Sequence, residues 1–190
     1  MTKKQQIERL KARVFSENFQ TQKWACHDLF YFGGRFNKTA RRKLRQYLVN
    51  LFDQDNSGAR SAVALVVREN RYQPALRPLL RAMLKPENSR NRGALAYALE
   101  TLDCSKHLCE LFEIVFSAPS NYVTLVHTLT VLEEQPFRMN NDKLHQIARR
   151  WEETKPTWDA LNGEGKSKVF GDTTQVAIQG IVDNFMAYLE

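Results

Sequence analysis

Three stretches of the chain repeat one pattern. SGARSAVALVV starts at position 57, SRNRGALAYAL at position 89 and SNYVTLVHTLT at position 120. Each writes a Ser, then polar or small residues, in the first two cases an Arg, and then an Ala-rich or apolar run. The first two lie 32 residues apart, about the length of two short helices with their turns. A hairpin of that size cannot bury its own apolar side, so it must stack on its neighbours. The repeat therefore predicts an all-α chain of stacked helical hairpins.

The pattern is clearest over Pro74–Leu102, PALRPLLRAMLKPENSRNRGALAYALETL. Leu76, Leu79, Leu80 and Met83 fall at helical spacing and mark one apolar stripe. Lys85-Pro86-Glu87-Asn88 breaks the helix, because Pro lacks an amide and disfavours a helical residue before it. Ser89 is then placed to cap a second helix, in which Ala94, Ala98 and Leu102 recur at i, i+4 and i+8 beside Leu95 and Leu99. Small residues there let helices approach closely. Pro78, five residues into the first helix, predicts a kink. Upstream, 39–52 and 57–70 form a similar pair around the turn 53–56, with Ala40, Leu44, Tyr47, Leu48 and Leu51 on one side of the first helix. Downstream, 105–116 pairs with 122–134 through 117–120. Residues 4–15 with 20–32, and 141–153 with 173–189, make a first and a last pair, the last joined by a long polar connection over 154–172. Each fully buried Leu contributes about 1.5–3 kcal/mol, and the stack must outweigh the chain entropy lost.

These residues resemble the HEAT-repeat family. The resemblance is carried by Pro74, the spaced leucines, the Pro-containing turn, and Arg92 followed by Ala94 and Ala98-Leu99. Arg60 with Ala62 and Leu65 repeats the second-helix part. It is best over 38–134. The third unit departs, with Val123 where the Arg would stand and His127 where an Ala would, and the first and last pairs match loosely. The resemblance implies a right-handed α-α superhelix of about five antiparallel helix pairs, one α-solenoid domain over 1–190, whose second helices line a concave binding face. It also implies that Arg60 and Arg92 ladder with acidic or amide residues at the turns of neighbouring units, for which Asp55 and Glu87 are available. The other role open to these arginines is an anion site on the concave face.

Charge separates along the chain. Residues 1–102 carry 20 Lys and Arg against 8 Asp and Glu, a net of +12, and residues 103–190 carry 8 against 13, a net of −5. That split favours an acidic partner at the N-terminal half, a protein first and a nucleic acid second. Two stripes concentrate the cations. Lys38, Arg41, Arg42 and Arg45 project within about a third of a turn of one helix, at about 100° per residue. Arg77, Arg81 and Lys85 step by four along the next first helix. In-register stacking would set the stripes side by side, as a surface for phosphates or an acidic protein. On convex first helices the same charges would serve solubility alone.

Trp24 and Asp28, in WACHD, stand four apart on one helix face, and Tyr97 follows two units later. The HEAT-like alkylpurine DNA glycosylases are similar, and that resemblance would assign Trp24, Asp28, Arg60 and Tyr97 to a DNA-binding face. The chain departs from that family at Glu100, where a cation would suit DNA, and lacks the helices usually found before the Trp. The structural alternative is Trp24 as a stacking anchor of the first hairpin.

Other motifs point to no chemistry. Residues 160–167, ALNGEGKS, match a loose P-loop pattern, but a phosphate cradle needs a buried strand before it and a helix after it, and KPTWD is no strand. A flexible surface loop with Trp158 pinning one end is expected. Cys104, His107 and Cys109 lack a fourth metal ligand nearby, and Cys109 beside Leu108 and Leu111 reads as core. His27, His127 and His145 show no Ser, Cys or Asp partner of a nucleophilic triad. No catalytic residue, metal or cofactor is therefore assigned.

Composition sets the class. With 43% hydrophobic and 26% charged residues among 190, the chain reads as one globular unit. No run of eighteen apolar residues provides a membrane span. MTKKQQIERLKARVF is polar where a signal peptide is apolar, and three cysteines give no disulfide framework, so a cytoplasmic location is expected. The functional expectation is a non-catalytic scaffold gripping a partner protein, as an adaptor, assembly factor or immunity-type protein. Nucleic-acid binding, with a DNA-repair glycosylase relative as its sharpest form, is the alternative.

Overall fold

The computed structural model describes residues 1–32, 37–118, 121–163 and 168–189. Ten α-helices occur among them, with no strand. The chain divides into two compact units, 1–103 and 104–190, where the sequence reading treats 1–190 as one domain. The boundary falls one residue from the break in charge. Unit 1 holds 20 Lys and Arg against 9 Asp and Glu, a net of +11, and unit 2 holds 8 against 12, a net of −4.

Unit 1 contains α1 (Lys3–Arg13), α2 (Phe19–Tyr31), α3 (Lys38–Asn50), α4 (Ser57–Glu69), α5 (Leu76–Leu84) and α6 (Gly93–Leu99). The second helix of each pair packs on the next, α2 on α4 and α4 on α6. The first helices accompany them as a second layer, through contacts of α1 and α3 with α2, of α3 with α5 and of α5 with α6. Within the α2–α4–α6 layer, α4 is flanked on both sides, and Ala59, Ala62, Val63, Ala64, Val66 and Val67 are all buried. Small side chains make that possible. A Cβ on Gly58 would lie 2.4 Å from Oε1 of the buried Gln22 of α2.

The helix starts are written by asparagine rather than serine. Asn18, Asn37 and Asn56 each accept the amide three residues on, at 2.9, 2.9 and 2.8 Å, and each lies 19 residues from the next. Asn121 and Asn140 repeat the spacing and the bond, to Thr124 and Lys143. Thr2 closes a capping box with Gln5. Ser57 is the first residue inside α4, not its cap. Ser89 lies within a 3₁₀ turn over Pro86–Asn91, and α6 starts after it at Gly93 without a side-chain cap. Ser120 lies outside the described residues.

Two further expectations shift. A 3₁₀ turn over Gln73–Ala75 delays the start of α5 to Leu76. Pro78 thus sits in the first turn, where its missing amide has no intrahelical partner to lose, rather than five residues in. In α6 the buried residues are Leu95, Ala96, Ala98 and Leu99, and Ala94 is only half-buried.

Unit 2 contains α7 (Leu108–Phe116), α8 (Tyr122–Glu134), α9 (Asn141–Gly163) and α10 (Lys168–Met186). Helix α7 packs on α8 and α9, and α9 on α10. The stretch from 154, read as a polar loop, continues α9 with Pro156 inside it. Trp151 and Trp158 hold that helix down. Trp151 stacks on Phe116 at 5.3 Å and donates to Gln179 Oε1 at 2.6 Å, and Trp158 donates to the Phe116 carbonyl at 3.2 Å. Trp158 is therefore an anchor, of a helix and not of a loop. Residues 164–167 of the P-loop-like match lie outside the described residues.

The cap assignment is testable by urea unfolding. Asn56→Ala removes the acceptor for the Ala59 amide and should cost about 1 kcal/mol. Ser57→Ala should change stability by less than about 0.5 kcal/mol. The opposite order would show that the Ser, not the Asn, caps α4.

Candidate protein-binding face

The α2–α4–α6 layer exposes one row of aromatic side chains. Trp24, His27 and Tyr31 follow at i, i+3 and i+7 on α2, which puts them on one face. Ring centroids are 6.3 Å apart for Trp24 and His27 and 4.8 Å apart for His27 and Tyr31. Trp24 is 56% exposed and Tyr31 50%, so Trp24 is not a packed anchor of the first hairpin. The Tyr31 hydroxyl donates to Asn70 Oδ1 just past the end of α4. Beside Trp24 lies a cleft of about 190 Å³ lined by Gln20, Lys23, Trp24, His27 and Glu69. The Nδ1 of His27 is buried with no hydrogen-bond partner among the described residues.

Two cations of this layer are ion-paired. Lys23 meets Glu69 at 2.9 Å, and Arg68 meets Glu100 at 3.5 Å. The Arg68 guanidinium also lies 3.7 Å from the centroid of the Tyr97 ring, so one face of Tyr97 is covered. Asp28 faces His27 Nδ1 at 3.8 Å and is half-exposed. Sequence reading found Trp24, Asp28 and Tyr97 but missed His27, Tyr31, Lys23–Glu69 and Arg68. The i, i+3, i+7 aromatic spacing was a readable signal. The ion pairs join residues 32–46 apart and had none.

The arginines of the repeat work inside the fold. Arg60 and Arg92 are 3% and 2% exposed. Each reaches back into the turn of its own hairpin, Arg60 Nη1 to the Gln54 carbonyl and Arg92 Nη2 to the Lys85 carbonyl at 3.3 Å. Burial pushes the Arg92 pKa down from its ordinary value. The carboxylate that bridges the second and third hairpins is Asp53, to Lys85 at 3.3 Å and Arg81 at 3.8 Å. Arg60 itself forms no ion pair among the described residues. It opens on a cleft of about 220 Å³ lined by three acids, Asp53, Asp55 and Glu87, against Arg60 and Lys85, a balance that disfavours an anion. The glycosylase-like set is therefore not assembled. Trp24 and Asp28 are exposed on α2, Arg60 is buried at a turn, and Tyr97 lies under Arg68.

The basic stripes break up as well. Lys38 and Arg42 are exposed and Arg41 is half-buried. Arg45 is a packing residue, its guanidinium 4.0 Å from the Phe30 centroid and 5.3 Å from that of Tyr72. On α5, Arg77 and Arg81 are exposed. Arg45 reaches Tyr72, ahead of the start of α5, and Arg81 reaches Asp53, past the end of α3. The exposed Lys43 was missed.

Two potentially reactive side chains, Cys26 and His107, are engaged by the fold. Cys26 is fully buried, and desolvation pushes its thiol up to about 12. His107 is tied to Glu110 at 2.9 Å. Among the described residues no three His, Cys, Asp or Glu side chains gather for a metal ion, and no helix is long and apolar enough to cross a membrane. A cleft of about 630 Å³ in unit 2 is lined by Leu132, Phe137, Ile181 and Phe185 together with Glu133, Gln135 and Asn184. Compared with known proteins, the chain matches no family model, no curated protein and no solved structure.

Two measurements check these placements. Arg45→Ala should cost about 1–2 kcal/mol, because it removes stem packing and the ring contacts, and Arg42→Ala should stay within about 0.5 kcal/mol. Equal effects would put Arg45 in solvent. A thiol pKa raised above its ordinary 9.0 means the folded state holds the proton more tightly. The stability this gives is complete below pH 9 and is lost as pH rises toward 12. Between pH 8 and 10.5, urea midpoints should fall by the equivalent of about 1–2 kcal/mol, and Cys26→Ala should flatten the fall.

Proposed function

We propose that the chain is a non-catalytic binding scaffold, a short right-handed HEAT-like solenoid that grips a partner protein on the face made by α2, α4 and α6. One observation carries this reading: Trp24 stands 56% exposed on a layer whose part-exposed cations, Lys23 and Arg68, are each ion-paired. Exposed Trp beside neutralised charge is the composition of an interface hot spot, where an aromatic supplies buried area at low conformational cost. Bare cations would instead have to be desolvated by any protein that covered them. The serial packing of α2, α4 and α6 supports the solenoid arrangement, because it sets second helices side by side as HEAT-like repeats do. The +11 of unit 1 raises the rate at which an acidic partner meets the unit as a whole, without selecting this face.

The test is capture from source-cell lysate on three immobilised baits: wild type, Trp24→Ala with Tyr31→Ala, and Arg42→Glu. A partner retained at about 0.3 M salt by wild type and Arg42→Glu, but lost from the aromatic double variant, is the expected result. Retention of the same proteins by all three baits, or by none, would overturn the reading.

A further inference from the structure

We infer that the opposite layer of unit 1, made by α1, α3 and α5, is a docking surface for the phosphate backbone of duplex nucleic acid. Its three helices carry a net charge equal to that of the whole of unit 1, +11. Helices α1, α3 and α5 carry 12 Lys and Arg against one acid, Glu8, and α2, α4 and α6 carry 3 against 2. The single acid is neutralised in place, Glu8 by Lys11 at 3.0 Å. Lys11 also lies 5.1 Å from the Tyr47 ring centroid, which joins α1 to α3. Of the remaining cations, Lys4, Arg9, Lys38, Arg42, Lys43 and Arg77 are exposed and form no ion pair among the described residues.

What accompanies these cations decides the partner. Within α1, α3 and α5 no large hydrophobic side chain is exposed, and only Met1 and Phe15 flank α1, whereas α2 itself exposes Phe19, Trp24 and Tyr31. The neighbours of the cations are Gln5, Gln6, Thr39 and Gln46, all exposed. A protein partner would find no apolar anchor here to form the core of an interface. A single strand would find no row of exposed rings on which to stack successive bases, only Phe15 past the end of α1. A duplex needs neither. Its backbone presents a charge every ~1.7 Å of axis, and dispersed cations gain by releasing the condensed counterions. The contacts are to phosphates alone, so binding is independent of sequence. This inference does not rest on the α2–α4–α6 reading and uses different residues.

Fluorescence anisotropy of the full chain with a labelled 20-bp DNA duplex tests it. Binding at 50 mM salt should weaken by roughly a hundredfold or more at 200 mM, with a log–log slope near −4 for four or five phosphates at about −0.9 each. The triple variant Arg42→Glu, Lys43→Glu and Arg77→Glu should lose at least tenfold at 50 mM, and the corresponding Gln variant a smaller factor in the same direction, both with unchanged helical circular dichroism. Trp24→Ala with Tyr31→Ala should bind the duplex as wild type does, so failure of the protein-binding reading and failure of this one are separable. No binding at 50 mM, or binding indifferent to the charge-reversed triple, would overturn the inference. So would competition by polyglutamate as effective, charge for charge, as unlabelled duplex, since it would assign the surface to acidic proteins.

Discussion

The arrangement of unit 1 rests on the burial of α4 between α2 and α6. A helix flanked on two sides must be apolar over most of its circumference, and its neighbours approach only if its side chains are small. Alanines and valines at 59, 62, 63, 64, 66 and 67 meet both demands. Gly58 lets the buried amide of Gln22 lie where a Cβ would otherwise stand. Charge is expelled from such a layer, since an unpaired ion out of water costs several kcal/mol. What stays is paired, as Lys23 is with Glu69 and Arg68 with Glu100, or donates to a turn carbonyl, as Arg60 does. The first helices keep one side in water and take the remaining cations. Sorting of charge between the two layers is thus a consequence of packing before it is a property of any surface.

Arginine serves three physical ends in one unit. Arg60 and Arg92 tie turns to the helices that follow them, through backbone carbonyls. Arg45 fills space between Phe30 and Tyr72, where a planar, weakly hydrated cation stacks as an ammonium would not. Arg42 and Arg77 remain in solvent. The sequence spacing that groups Arg41, Arg42 and Arg45 into one stripe is sound helical geometry. It fails because a residue at the edge of a stripe takes its role from a neighbouring helix. At Arg45 that neighbour brings two rings.

Local signals were therefore read well and non-local ones poorly. The stripe Leu76, Leu79, Leu80 and Met83 is buried as its spacing required, and the strandless, all-helical class followed from such stripes. Serines were taken for caps because Ser, like Asn, accepts from a free amide. The 19-residue recurrence of Asn at 18, 37 and 56 was the better clue, being periodic with the helices themselves. The polar stretch after 154 looked like a loop because Pro156 and Thr157 are poor helix signals. Trp151 and Trp158 override them through tertiary contacts with Phe116 and Gln179, which no window of sequence contains. At the candidate site Trp24 was legible as a residue. Its exposure was not, since that depends on what the second hairpin leaves uncovered.

The two layers differ in the physics by which they would hold a partner. Around Trp24 the attraction is removal of apolar area from water, which salt leaves nearly intact or strengthens. On α1, α3 and α5 it is counterion release, which salt abolishes. Salt is therefore a selective switch between them. Because the rings and the bare cations occupy opposite layers of the same six helices, occupation of one surface need not displace the other. Were both proposals to hold, a unit so built would join a protein to a polyanion with no conformational change.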